Sequence, residues 1–187
     1  VPVELARFEV ARQGSDVELS WATASETNNA GFRVEHRYRE EPFEELGFVE
    51  GSGTRSQPKT YQYRAEDLQP GSHTFRLRQV DTDGTTSRLR SRTVTVSPSG
   101  AFELTEPAPN PFADATSMRL TVRKAQQVEA AVYNTLGQQV TTLLDRRLSA
   151  NEPVDVSVEG QSLASGVYFV RVRGATFEAT RKVVVTQ

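Results

Sequence analysis

Few side chains in this sequence are of types that do chemistry. There are two histidines, His36 and His73, and no cysteine, which excludes disulfides and thiolate metal sites. A nucleophilic triad needs an activated serine near a histidine and a carboxylate, and no G-x-S-x-G turn is present. His36 shares parity with Phe32, Val34 and Tyr38, which assigns it to a packed face, and His73 stands beside a turn. Asp81-x-Asp83-Gly84 begins like a calcium loop, but the twelfth position, where a bidentate Glu is needed, is Arg92; these residue types are those of a hairpin turn. The acid pairs Glu40-Glu41 and Glu44-Glu45 fall at an expected hairpin and read as a solvated edge. No cofactor or metal is expected, and no catalysis. Arginine is the side chain that recurs in pattern: Arg33, Arg37 and Arg39, then Arg76 and Arg78, then Arg88, Arg90 and Arg92. Guanidiniums on one face bind phosphate or carboxylate bidentately.

The elements that must carry these side chains are strands. From Val3 onward apolar residues alternate with polar ones, a period of two. Val17, Leu19 and Trp21 form one run, Phe32 to Tyr38 another, with a polar loop, Thr23 to Ala30, between them. Phe43 to Val49, Tyr61 and Tyr63, Phe75 and Leu77, and a run ending at Val94 and Val96 complete seven strands. Gly51 to Thr54, Leu68 to Gly71 and Asp81 to Gly84 punctuate them. Ser97-Pro98-Ser99-Gly100 has a boundary's composition. The run Glu106 to Val122 holds Pro107, Pro109 and Pro111 around Asn110, predicting a rigid extended entry into a second set of about seven strands. The fold expected is all-β: two tandem immunoglobulin-like antiparallel sandwiches, residues 1–97 and 107–187, joined by a linker at 98–106. The chain starts Val1-Pro2-Val3 without an initiator Met, so it is expected to be part of a longer precursor.

With 36% hydrophobic residues and a net charge of −2, acid and base balancing in both halves, the chain has no bulk basicity that would attract nucleic acid. No apolar run approaches the roughly 18 residues of a membrane helix.

Two resemblances cover nearly the whole chain. Trp21 and Leu68-x-Pro70-Gly71 resemble the markers of a fibronectin type III domain, except that the tyrosine expected six residues after the leucine is Thr74; a differently built corner is expected, with Phe75 as packing. The second half resembles the type A C-terminal sorting domain of the type IX secretion system. Its carriers are Asn110-Pro111-Phe112, Val132-Tyr133-Asn134-x-Leu136-Gly137-Gln138-x-Val140, Leu163-x-Ser165-Gly166-Val167-Tyr168 and Arg181-Lys182-Val183-Val184-Val185. The stretches Pro2 to Leu5, Thr23 to Phe32 and Arg76 to Gly84 resemble the module often found just upstream in such cargo.

These resemblances imply a non-catalytic spacer and address at the end of an exported protein. The implied partners are the outer-membrane type IX machinery and surface lipopolysaccharide. The implied location is the cell surface or the medium after transit through the periplasm. The physical candidate for recognition is the final strand at Lys182, Val183, Val184 and Val185, because open strand edges recruit partners. The fibronectin order also makes the third, sixth and seventh strands neighbours, placing Arg33, Arg37, Arg76, Arg78 and Arg90 on one anion-binding face. Neutralisation of that face by Glu35 and the acidic hairpin, or splitting by a bulge, are the competing readings. A structural or adhesive module, assembling through strand edges or binding acidic glycan, is the alternative function.

Overall fold

The computed structural model describes residues 3–186. Val1, Pro2 and Gln187 lie outside them, and with Pro2 the start of the Pro2 to Leu5 stretch. Among the described residues every element is a strand apart from one short 3-10 turn, Gly160–Ser162, and the chain divides into two compact units at Ser97/Pro98.

The first unit contains β1 (Glu4–Gln13), β2 (Asp16–Tyr38), β3 (Glu44–Arg55), β4 (Lys59–Ala65), β5 (Gly71–Asp81) and β6 (Thr86–Val96). β2 is the spine. Its first half pairs with β1 and β4, and its second half with β3 and β5, which in turn pairs with β6. One strand therefore serves both layers of a sandwich, where the polar run Thr23 to Ala30 suggested a loop. The crossing is held by Glu26, which is buried and accepts from Thr23 Oγ1 (2.8 Å), Asn29 Nδ2 (2.8 Å), Tyr61 Oη (2.5 Å) and Ser52 N–H (3.0 Å). A polar sequence can remain a strand here because the buried Glu26 carboxylate is satisfied from within the run and from neighbouring strands. β3 likewise runs through the Gly51 to Thr54 stretch that was expected to end it.

Trp21 is wholly buried, stacked on Tyr61 at 5.6 Å and edge-on to Phe32 at 5.5 Å. The corner before β5 is closed by a tyrosine from elsewhere. Tyr38, at the end of β2, donates its hydroxyl to the Pro70 carbonyl at 3.0 Å. Its ring lies where a Cβ on Gly71 would stand, 2.6 Å from the nearest ring carbon, and Gly71 has a φ of 141°. Only glycine suits both conditions. Phe75 is buried core, as expected for the altered corner.

The second unit contains β7 (Phe102–Leu104), β8 (Ala115–Val122), β9 (Gln126–Tyr133), β10 (Gln139–Leu148), β11 (Val154–Glu159), β12 (Gly166–Gly174) and β13 (Glu178–Val185). A three-stranded sheet, β11-β8-β7, faces a four-stranded one, β10-β9-β12-β13. Between them lie Met118, Leu120, Val128, Val132, Val170 and Val183, among others. Residues 98–106 are not a free linker: Phe102, Glu103 and Leu104 pair with Val122, Thr121 and Leu120, and Phe102 stacks on Phe177 at 4.2 Å. The apolar alternation of that segment is too short to stand out locally, and it becomes a strand because β8 supplies a partner.

Candidate functional site

β13 is the terminal strand of its sheet, hydrogen-bonded to β12 on one side. Its other edge is not open. The Asn110 side chain donates to the Lys182 carbonyl (3.0 Å) and accepts from Val184 N–H (2.9 Å). Phe112 N–H donates to the Val184 carbonyl (3.0 Å), and the Phe112 carbonyl accepts from Thr186 N–H (2.8 Å). Phe112 itself is buried in the core. The proline-framed segment thus clasps the end of the chain, with the peptide bonds before Pro109 and Pro111 both cis. Farther back along β13, Arg181 reaches across to the Leu104 carbonyl (2.9 Å) and Glu106 (3.1 Å). The expectation of a free edge at Lys182 to Val185 is therefore corrected: outward backbone groups at residues 182, 184 and 186 already have partners.

The four residues also separate by parity. Val183 and Val185 are core side chains, whereas Lys182 and Val184 face outward. Val184 lies directly opposite Val167, and Phe169 lies between Lys182 and Tyr133. At this same end of the sheet, the β9–β10 turn holds Leu136 out in solvent, 82% exposed, with Val140 at 43% and Val167 at 38%. The turn is rigid. Asn134 Oδ1 accepts from Leu136 N–H and Gln138 N–H (both 3.0 Å), Asn134 N–H donates to the Gln138 carbonyl (3.0 Å), and Gly137 takes a φ of 77°. Arg171 lies over the Tyr133 ring at 4.3 Å. Tyr133, Val167, Phe169, Lys182 and Val184, distant in sequence, thereby share one outward face, and the β9–β10 turn with Leu136 and Val140 lies at the same end of the sheet.

In the first unit, β2, β5 and β6 are neighbours, and Arg33, Arg78 and Arg88 stand directly opposite one another across them. Arg37 and Arg76 are on the same outer face, both stacked on Phe43, at 5.0 and 3.8 Å. Arg90 is not part of it. The pairing slips between Arg76 and Arg78, so Leu89 and Arg90 together oppose Leu77, and the bulge turns Arg90 toward β1. Glu35, only 13% exposed, pairs with Arg76 and with Arg78 (3.5 Å), while Glu45 meets Arg33 at 3.5 Å. Three of these five outer arginines are thus ion-paired, sharing two carboxylates.

Residues 108–186 match the family model for the "Secretion system C-terminal sorting domain". The second unit is a sorting domain of that family, the address of the type IX secretion system. Among solved structures, dimeric latent PorU from Porphyromonas gingivalis is 17% identical with a TM-score of 0.38, over 100% of this chain and 20% of that one. The fibronectin(III)-like modules of Clostridium thermocellum CbhA are 14% identical (TM-score 0.35; 99% and 94% covered). A two-domain fibronectin type III segment of chicken tenascin is 11% identical (TM-score 0.34; 97% and 99% covered). A comparison with curated proteins returned no match. The chain spans 20% of the length of the PorU chain. The sorting-domain family is non-catalytic, and its address function implies contact with the type IX machinery and secretion across the outer membrane.

Four titratable groups of the first unit, Glu26, His36, Tyr61 and His73, are buried. His36 and His73 are buried and stacked, with Nε2 of His36 2.8 Å from Nδ1 of His73. Burial lowers the pKa of both. Burial pushes the Glu26 carboxyl up, but its hydrogen bonds from Asn29, Tyr61, Thr23 and Ser52 outweigh that and hold it below its ordinary value. Tyr61 is pushed up to about 12, by burial first and then by its bond to Glu26. Asp81 and Asp83 close a turn, Asp83 accepting from Thr85 N–H at 2.8 Å. Among the described residues no three His, Cys, Asp or Glu side chains gather as a metal site. Sequence reasoning missed Glu26, Tyr38 and the partner of Asn110. Asparagine between two prolines was the one local signal that a side chain there is held in a fixed direction.

Proposed function

We propose that this chain is the C-terminal region of a protein exported by the type IX machinery, with the first unit as a spacer and the sorting domain as its address. The match of residues 108–186 to the sorting family carries the reading. The machinery reads the outward surface formed by Leu136, Val140, Val167, Lys182 and Val184, not the edge of β13. The support is geometric: that edge is already clasped by Asn110 and Phe112, while the turn around Asn134 holds a leucine in water at the cost of burial it could otherwise gain. The passenger lies N-terminal to this region and ends at the cell surface or in the medium; joining to surface lipopolysaccharide is the form of retention that the family resemblance implies. Assembly into filaments through strand edges has less support, since β13 is clasped and β10 carries two register shifts.

The test is a fluorescent protein fused ahead of residues 1–187, behind a secretory signal, in a host with the type IX system. Fluorescence outside the cell is expected. A folded fusion retained in the periplasm overturns the address. Deleting Val183 to Gln187 is a poor probe, because it removes two core valines. Leu136→Ser with Val167→Ser spares the core, and should abolish export while thermal unfolding is unchanged. Normal export of that variant would sink the surface assignment but leave the address intact.

A further inference from the structure

β6 is an edge strand with β5 as its strand partner, and it carries Arg88, Arg90 and Arg92, all exposed, with no acidic residue. Its bulge sends these side chains to two sides of one edge. Arg88 extends the outer row with Arg78. Arg90 and Arg92 turn to the seam between β6 and β1, where with Arg7 and one acid, Glu9, they line an open cleft of about 460 Å³. Arg78 and Arg88, like charges opposed across neighbouring strands about 5 Å apart, repel, so that pair is not explained by packing. The nearby acids are already engaged. Glu35 pairs with Arg76 and Arg78, and Glu9 meets Arg7 at 3.7 Å. Arg88, Arg90 and Arg92 form no ion pair among the described residues.

We propose that the β6 edge and its seam with β1 bind an acidic polysaccharide. The edge offers Arg88 on its outer side and Arg90 and Arg92 at the seam within about 13 Å of strand, each a planar fork that takes a carboxylate bidentately. Ala6, Val10 and Ala11 give the cleft exposed or half-buried apolar surface on which the C–H groups of a sugar can rest. Nucleic acid fits less well, because the edge presents no exposed aromatic side chain for base stacking. The rival account is that bulge and arginines only block strand addition at an edge, and it predicts no saccharide binding.

Calorimetric titration of the whole chain with polygalacturonate, neutral dextran and single-stranded DNA decides between them. Polygalacturonate should bind, more weakly as salt is raised, and dextran should not. Arg88→Gln/Arg90→Gln/Arg92→Gln should weaken binding about tenfold or more. Lys124→Gln/Arg146→Gln/Arg147→Gln, an equal loss of charge in the other unit, should not. Absence of polygalacturonate binding, equal weakening by both variants, or tighter binding of DNA would each overturn the proposal. Because the site is independent of the sorting domain, export can succeed or fail without bearing on this result.

Discussion

His36 and His73 set a proton balance inside the first unit. The Gln69 carbonyl can only accept, so His73 Nε2, 2.8 Å away, carries a hydrogen and its Nδ1 accepts from His36. This leaves His36 Nδ1 without a hydrogen, 3.7 Å from Glu44. Burial, the largest influence on both rings, disfavours the charged forms, and Glu44 only partly offsets it for His36. The sign follows from linkage. The unfolded chain takes up protons near the ordinary value of 6.5, whereas the folded chain does so only at lower pH. Stability should therefore fall as pH drops from 6.5 toward the folded values and be flat above that window. Urea unfolding at about pH 5 and about pH 7.5 should show this loss. A double His36→Gln/His73→Gln variant should lose the dependence; an unchanged slope would remove the pair as its source. Glu26 acts in a separate, more acid window, its stabilisation being lost as pH falls through its lowered folded value.

At the scale of elements, the clasp on β13 sets what that strand can do. An unpaired edge is a template for another chain, and Asn110 supplies with one side chain both the donor and the acceptor that a neighbouring strand would otherwise offer. Asn110→Ala leaves the Lys182 carbonyl and Val184 N–H without these partners. It should destabilise the sorting domain by about 1–3 kcal/mol and promote concentration-dependent association. Denaturant melts and sedimentation would measure the two effects. Wild-type behaviour in both would mean that the backbone contacts of Phe112 suffice. On β6, by contrast, the edge is not clasped but bulged and charged. The two edges are managed by different chemistry.

For the whole molecule, the folding boundary is set by β7. Residues 98–187 form one unit with Phe102 and Leu104 paired and packed in it. A fragment beginning at residue 107, where proline composition suggested a start, lacks that strand and the Phe102–Phe177 stack. It should unfold at clearly lower temperature than the 98–187 fragment, by calorimetry. Equal melting temperatures would show that β7 contributes nothing. Export assays on isolated sorting domains should use the longer fragment for this reason.

Alternation along the chain was enough to assign strands and to name most of the inward side chains. Val17, Leu19, Trp21, Phe32, Val34, Val128, Ala130 and Val132 are buried as their parity requires, because side-chain direction in a strand depends only on the strand's own period of two. The ordered motifs of the second half sufficed for its family. What they could not reach is every feature that depends on which strand lies beside which. Thr23 to Ala30 reads as a loop until Tyr61 and Ser52 arrive to satisfy Glu26. Arg90 shares the sequence parity of Arg88, which stands opposite Arg78, until one slipped residue in β6 turns it over. Asn110 finds its partners 72 and 74 residues away in β13. Pairing register and the reach of a side chain to a distant backbone are properties of three-dimensional packing, and a local period carries no information about them.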